Sequence, residues 1–237
     1  MVPQLPPSTG LPADLAAGLA AKFAEERLRE TQGAIVCAFS HLLDLRDLNT
    51  GVHSTRLAEW AVRVCVQFGL DEEDQRNVEV ACLLHDIGKV GIEDAILKKA
   101  GPLTEAERRR MNRHPEYSWA IFRLFPHLER AGLYALHHHE QFDGSGYPAG
   151  LRGDRIPFGA RLVAVVDAFD AMVSDRVYRK GLPMDEALGR LVAGAGTQFD
   201  PEVVTQFVAM APAHIEEVRR IAEPARPIHL EQEAVGY

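Results

Sequence analysis

The sequence predicts an all-α protein, a helical bundle interrupted by one long loop. Three observations carry this. Apolar residues recur every three or four positions along most of the chain, the spacing of amphipathic helices. Strand patterns are weak: the VAVV run at 163–166 is β-prone by composition but lies inside a 3.6-residue pattern. Glycine and proline concentrate in residues 141–157, with four glycines and two prolines, which read as a loop.

The elements follow in order. Residues 1–12 hold Pro3, Pro6, Pro7 and Pro12 and read as a flexible entry. From Asp14 to about Glu30, Leu15, Leu19 and Phe23 recur one turn apart, and a second apolar face follows at Ile35, Phe39, Leu42 and Leu43. Together they predict a long helix, broken or bent near Gly33. Leu57, Trp60, Ala61, Val64 and Phe68 make one stripe, closed by Gly69. A helix over Asp71–Ile87 should stop at Gly88. Thr104 and Glu107 form a capping-box pattern, opening a helix that ends or bends near His114 because Pro115 follows. Further helices are expected at 117–125, 128–139, Phe158–Ser174, 184–193, 201–211 and 213–222. The tail after Pro224 should be loosely attached.

Composition bounds the function. The 237 residues are 46% hydrophobic, enough for a core and too apolar for a disordered chain. Twenty-six basic against 34 acidic residues give a net charge of −8, which argues against a nucleic-acid polymer or a membrane surface as partner. An anionic substrate would need a local reversal of sign. Cys37, Cys65 and Cys82 form no C-x-x-C pair, so neither a disulfide framework nor a thiolate zinc site is expected. No signal peptide and no 18-residue uncharged run is visible, so a cytoplasmic protein is expected. The unusual count is ten histidines.

Their positions matter. His53 heads a helix, His85-Asp86 is an adjacent pair near a helix end, His114 precedes a proline, and His138-His139 enters the glycine-rich loop. Asp167 sits mid-helix among apolar residues, where a carboxylate is costly unless paired or bound to metal. An arginine such as Arg161 or a metal would each satisfy it. The donors are all nitrogen and oxygen, a set that suits Fe, Mn, Zn or Ni.

The runs ACLLHDIGKVGIEDAILKKAGPLTEAE and HHEQFDGSGYPAGLRGDRIPFGARLVAVVDAFDAMVSDRVYR carry a resemblance. Together they resemble the HD-GYP family, metal-dependent phosphohydrolases of the HD superfamily that hydrolyse cyclic di-GMP. The likeness runs from about residue 34 to 210. It implies an HD-domain helical bundle over 34–223, preceded by a Pro-rich segment and helix at 1–33 and followed by a tail at 224–237. It further implies His53, His85, Asp86, His114, His138, His139 and Asp167 as ligands of two divalent transition metals, iron or manganese, with Asp86 bridging. Two such ions about 3.5–4 Å apart clamp a phosphodiester and activate a water. They would also supply the positive charge that the composition lacks.

By the same resemblance, Lys89 contacts the scissile phosphate or helps the leaving group, although a lysine near a helix end also suits the macrodipole. Asp170, Arg176, Arg179 and Tyr147 match substrate-contact positions. The arginines suit phosphate or a guanine edge through their planar fork, and ordinary ion pairs are the alternative. Asp143, Gly144, Gly146, Tyr147 and Pro148 make the named loop, which shapes the site and, in the family, meets GGDEF cyclase domains. Asn49 stands where some members carry a glutamate for a third metal, so two metals are expected. Glu93, Ala100, Ser118 and Val177 depart from the common residues; Ser118 and Val177 bear on access or substrate grip. The N-terminal helix serves either a homodimer contact or packing on its own domain. The expected reaction is cyclic di-GMP to linear pGpG, with further cleavage to GMP left open. Action on another cyclic dinucleotide or nucleotide, or a weakly active cyclic di-GMP- or GGDEF-binding scaffold, are the alternatives.

Overall fold

The structure, a computed structural model, describes residues 13–46, 53–175 and 180–222. Apart from one bridge between Ala195 and Phe199, the regular structure among them is helical. The α-helices are α1 (Ala13–Arg46), α2 (His53–Gln67), α3 (Glu72–Leu84), α4 (Asp94–Leu97), α5 (Glu105–Met111), α6 (His114–Phe122), α7 (Glu129–His137), α8 (Phe158–Val173), α9 (Met184–Gly194) and α10 (Pro201–Ala222). Short 3-10 turns cover Ile87–Gly91, Pro126–Leu128 and Gly153–Arg155.

The boundaries have local causes. α2 buries the expected Leu57–Trp60–Ala61–Val64 stripe, and the chain turns out of it at Gly69, whose φ of 67° only glycine adopts freely. α3 opens on Asp71, whose side chain accepts from the Asp74 amide at 2.8 Å, and three acidic residues follow against the positive helix end. The Thr104/Glu107 capping box is formed in both directions. α5 stops at Met111, and Pro115 lies in the first turn of α6, where its missing N–H costs nothing.

Three expectations change, and the β-prone VAVV run keeps the helix expected of it. α1 runs unbroken through Gly33, since one glycine costs a helix only about 1 kcal/mol. The helices expected at 201–211 and 213–222 are one, α10: a proline removes a hydrogen bond and bends a helix without ending it. VAVV at 163–166 is helical, because α8 is buried through most of its circumference and β-branched residues pack there without solvent contact. α3 ends at Leu84 rather than Ile87, and a tighter turn follows. The entry 1–12 and the tail 224–237 lie outside the described residues.

The core lies among α2, α3, α7, α8, α9 and α10. Its centre is an aromatic cluster: Trp60 meets Phe169 edge-on at 5.8 Å, and Phe169 meets Phe207 at 4.9 Å. Val36, Ser40 and Leu43 turn the C-terminal part of α1 toward this body. Leu15, Leu19, Phe23, Ile35, Phe39 and Leu42 of the same helix stay exposed. No helix among the described residues is long and apolar enough to cross a membrane.

Phe207 is fully buried, whereas Thr104 is an exposed cap. Phe207→Ala should therefore cost about 3–5 kcal/mol of unfolding free energy, and Thr104→Ala about 1 kcal/mol, both read by urea denaturation. Equal losses would contradict the placement of the core.

Candidate metal centre

Five helices bring their ends or middles to one place. His53 opens α2, His85 caps α3 with Asp86 next to it, His114 opens α6, His138 and His139 follow α7, and Asp167 comes from the middle of α8. These are the seven residues that the resemblance implied. They form two clusters, Asp86 with His114, His138 and His139, and His53 with His85 and Asp167; within each, the donor atoms lie within 4.8 Å of one another.

The histidines are oriented by helix ends. The last carbonyls of an α-helix have no partner within it. His85 Nδ1 donates to Cys82 O at 2.9 Å, His114 Nδ1 to Met111 O at 2.8 Å, and His138 Nδ1 to Ala135 O at 2.7 Å. Each acceptor lies three residues back, in the last turn of α3, α5 or α7. A carbonyl cannot donate, so each Nδ1 carries a proton and each ring turns its Nε2 toward the centre. Burial and the neighbouring histidines hold His138 well below the ordinary imidazole range, and burial together with His114 brings His139 down to about 4. Both rings are therefore neutral near pH 7, as metal ligation requires.

Asp86 lies between the clusters. Its Oδ2 is 3.1 Å from His85 Nε2, and its Oδ1 is 3.1 Å from His114 Nε2 and 4.0 Å from His138 Nε2. Lys89 Nζ stands 2.7 Å from Oδ2. Burial would raise the carboxyl, but His85 and Lys89 hold it well below the usual range, so it is ionised.

Asp167 is not paired with Arg161, which binds Asp154 at 3.0 Å and Asp200 at 2.5 Å. It faces His53 Nε2 at 3.4 Å. Asp170, expected at the substrate, is buried behind His53 instead. Its Oδ2 takes His53 Nδ1 at 2.5 Å, and Arg56 binds it bidentately at 2.7 and 2.9 Å while also reaching Ser174 Oγ at 2.6 Å. Both carboxylate oxygens are thus engaged, and Asp170 orients a ring. Against burial, Asp167 and Asp170 push His53 up to about 10. The pocket around it favours positive charge.

The loop closes one side of the site. Glu140, which the sequence reading left without a role, is buried and accepts from the amides of Ala149 at 2.8 Å and Leu151 at 3.1 Å, folding the loop back on itself. Asp143 N donates to Thr197 O, tying it to the α9–α10 turn, and Asp143 Oδ1 accepts from Ser145 N. Gly144 has a φ of 86°. A Cβ on Gly146 would meet Gln141 N at 2.2 Å, so only glycine fits. The chain then presents Tyr147, whose ring stacks on His139 at 4.9 Å, followed by exposed Pro148.

The residues fit a metal centre. His85 Nε2, His138 Nε2 and Asp86 Oδ1 are buried and make no hydrogen bond, a costly state for three polar atoms unless an ion takes their lone pairs. Arg176, Arg179, Val177 and Asn49 lie outside the described residues. Sequence reasoning also missed Arg56, although its position one turn after His53, matching Asp170 one turn after Asp167, is a readable signal for a pair behind the ligands.

The chain matches the family model described as HD domain over residues 38–203. It is 43% identical over 182 residues to the cyclic di-GMP phosphodiesterase response regulator RpfG of Xanthomonas campestris, covering 76% of this chain and 47% of that protein. It is 39% identical over 169 residues to the 3'3'-cGAMP-specific phosphodiesterase 3 of Vibrio cholerae, covering 71% and 36%. The chain spans about half the length of these curated relatives, or less. Among solved structures, the cyclic GMP-AMP-specific phosphodiesterase V-cGAP3 of V. cholerae has the same fold, with a TM-score of 0.60 at 17% identity over 79% of this chain and 51% of that one. Seven donors on five helices, the DGSGYP loop packed on His139 and a family match across most of the bundle lead to one assignment: the chain belongs to the HD-domain family, in its HD-GYP group.

Proposed function

We propose that this chain is a metal-dependent phosphodiesterase that hydrolyses cyclic di-GMP to linear pGpG, with a further cut to GMP open to the same site. The observation that carries the reading is Asp86, which directs one oxygen to each donor cluster. In this reading the seven donors are ligands, Asp86 bridges, and two divalent transition metals are held. Iron suits the nitrogen and oxygen set first, and manganese second. When bound, the ions supply the Lewis acidity that activates a water and neutralises a phosphodiester.

The chain's own residues do the rest. Lys89 keeps an ammonium at the edge of the centre, placed to offset charge on a phosphate oxygen or the departing alkoxide. Burial and Asp86 push the Tyr147 phenol up, so it stays protonated and offers a donor beside His139. Asp170 and Arg56 hold His53 in place. By the family resemblance, Arg176 and Arg179 would contact phosphate and guanine, which their planar fork suits. Residues 34–223 form the catalytic unit, and the reaction is placed in the cytoplasm.

The likeness to a 3'3'-cGAMP-specific enzyme favours a second reading in which another cyclic dinucleotide is cut. One preparation decides. Protein purified anaerobically and loaded with Fe²⁺ or Mn²⁺ should contain two metals per chain and release pGpG from cyclic di-GMP faster than it opens 3'3'-cGAMP. The double variant His85→Ala/Asp86→Ala should lose all turnover, and Lys89→Ala should lose about 10²–10³-fold in kcat with its metals retained. Binding of cyclic di-GMP without turnover would leave a scaffold, and three metals per chain would overturn the ligand count.

Two partner readings complete the proposal. The exposed face of α1, with Phe23, Ile35 and Phe39, pairs with the same face of a second copy. Light scattering should give a dimer, and a triple Phe23→Ser/Ile35→Ser/Phe39→Ser variant a monomer. The exposed Pro148–Gly150 rim meets a GGDEF-domain protein. A purified GGDEF domain should bind the wild-type chain and bind a Pro148→Ala chain more weakly by calorimetry; equal binding would remove the rim from the contact.

A further inference from the structure

An α-helix that stops inside a protein must find partners for the groups it no longer pairs. α3 stops at Leu84, and Asp86 leaves helical geometry with φ −95° and ψ 8°. This departure is what lets its carboxylate reach both donor clusters. It also rearranges the backbone bonds. Lys89 N bonds to Asp86 O at 2.9 Å, one residue short of the helical partner, so the His85 carbonyl is left over. The Gly88 amide bonds outside its own turn.

One side chain meets both needs. Ser118 Oγ donates to His85 O at 2.7 Å and accepts from Gly88 N at 2.9 Å. Ser118 is fully buried, so it does not govern access to the site. It lies on α6 four residues after His114, hence on the same helix face. The turn also lies flat on that helix, since a Cβ at Gly88 would stand 2.0 Å from His114 O. The two backbone groups that Ser118 holds flank Asp86 in sequence.

We propose that Ser118 is a positioning residue of the metal centre. Its hydroxyl sets the register between the His85–Asp86 turn and the helix carrying His114, so that the two Asp86 oxygens face their separate clusters. This rests on the reading of those clusters as a two-metal site. A purely structural hydroxyl would affect stability and leave metal affinity alone. A hydroxyl that sets the register changes both, because ligands displaced by a fraction of an ångström bind less well.

Calorimetric titration of metal-free protein with Mn²⁺ tests this, with electron paramagnetic resonance of the paired ions as a second readout. Ser118→Ala should fold by circular dichroism, bind at least one Mn²⁺ about 10–100-fold more weakly, and show an altered spin coupling. If Ser118→Ala does not fold, Ser118→Cys supplies the test, since it keeps the shape but offers only a weak donor; it should weaken binding in the same direction. A folded Ser118→Ala or Ser118→Cys chain that binds both ions within twofold of wild type overturns the proposal. Wild-type protein that holds two Mn²⁺ but cleaves no cyclic dinucleotide overturns the proposed reaction and leaves the role of Ser118 standing.

Discussion

The site depends on what happens at helix ends. Each helix of the bundle finishes with carbonyls that nothing within it can satisfy, and α3, α5 and α7 finish beside the donor clusters. A histidine three residues on from Cys82, Met111 or Ala135 fills one such carbonyl through Nδ1. The same bond fixes the ring's tautomer and aims Nε2 away from the helix. Capping and ligand orientation are therefore one interaction made three times. His53 differs. It stands at a helix start, and its Nδ1 meets Asp170 in place of a carbonyl.

That exchange has an electrostatic consequence. At His138 a carbonyl takes the Nδ1 proton without bringing net charge, and burial with the neighbouring histidines keeps that ring and His139 neutral. A carboxylate brings a full charge, and Asp170 with Asp167 pushes His53 upward instead. Arg56 balances part of this from behind. Breaking that arrangement would leave a buried charge unpaired, which costs far more than the pair itself contributes. The two clusters therefore differ: one holds three histidines with Asp86, the other two histidines with Asp167, and Asp86 directs an oxygen to each.

How much of this was legible follows from the range of each interaction. The Thr104/Glu107 box and the α2 stripe act within one or two turns, and the sequence shows them directly. A carboxylate in an apolar helix and paired histidines beside a glycine-rich loop stand out in the sequence too, although the family resemblance was needed to join them into one donor set. Gly33 and Pro212 misled, since a helix once nucleated propagates through a local penalty of a kilocalorie or a few. The end of α3 was misplaced for a different reason. Nothing between Leu84 and Gly88 forbids another helical turn, and the groups freed by the stop are met by Ser118, thirty residues away from Gly88. Asp170 was drawn toward the substrate because its partner Arg56 lies 114 residues back.

The charge balance sharpens the proposed chemistry. The chain carries −8, and three arginines of α5 and its flank meet carboxylates: Arg109 with Glu105, Arg110 with Glu93 and Arg113 with Glu116. Around the centre, Asp86, Asp167 and Asp170 face Lys89 and Arg56, so the described protein groups alone do not make it strongly cationic. On the proposed reading, an anionic dinucleotide meets attraction there only once divalent ions are in place. Substrate binding and bond cleavage would then depend on the same ions, and a metal-free chain would be deficient in both.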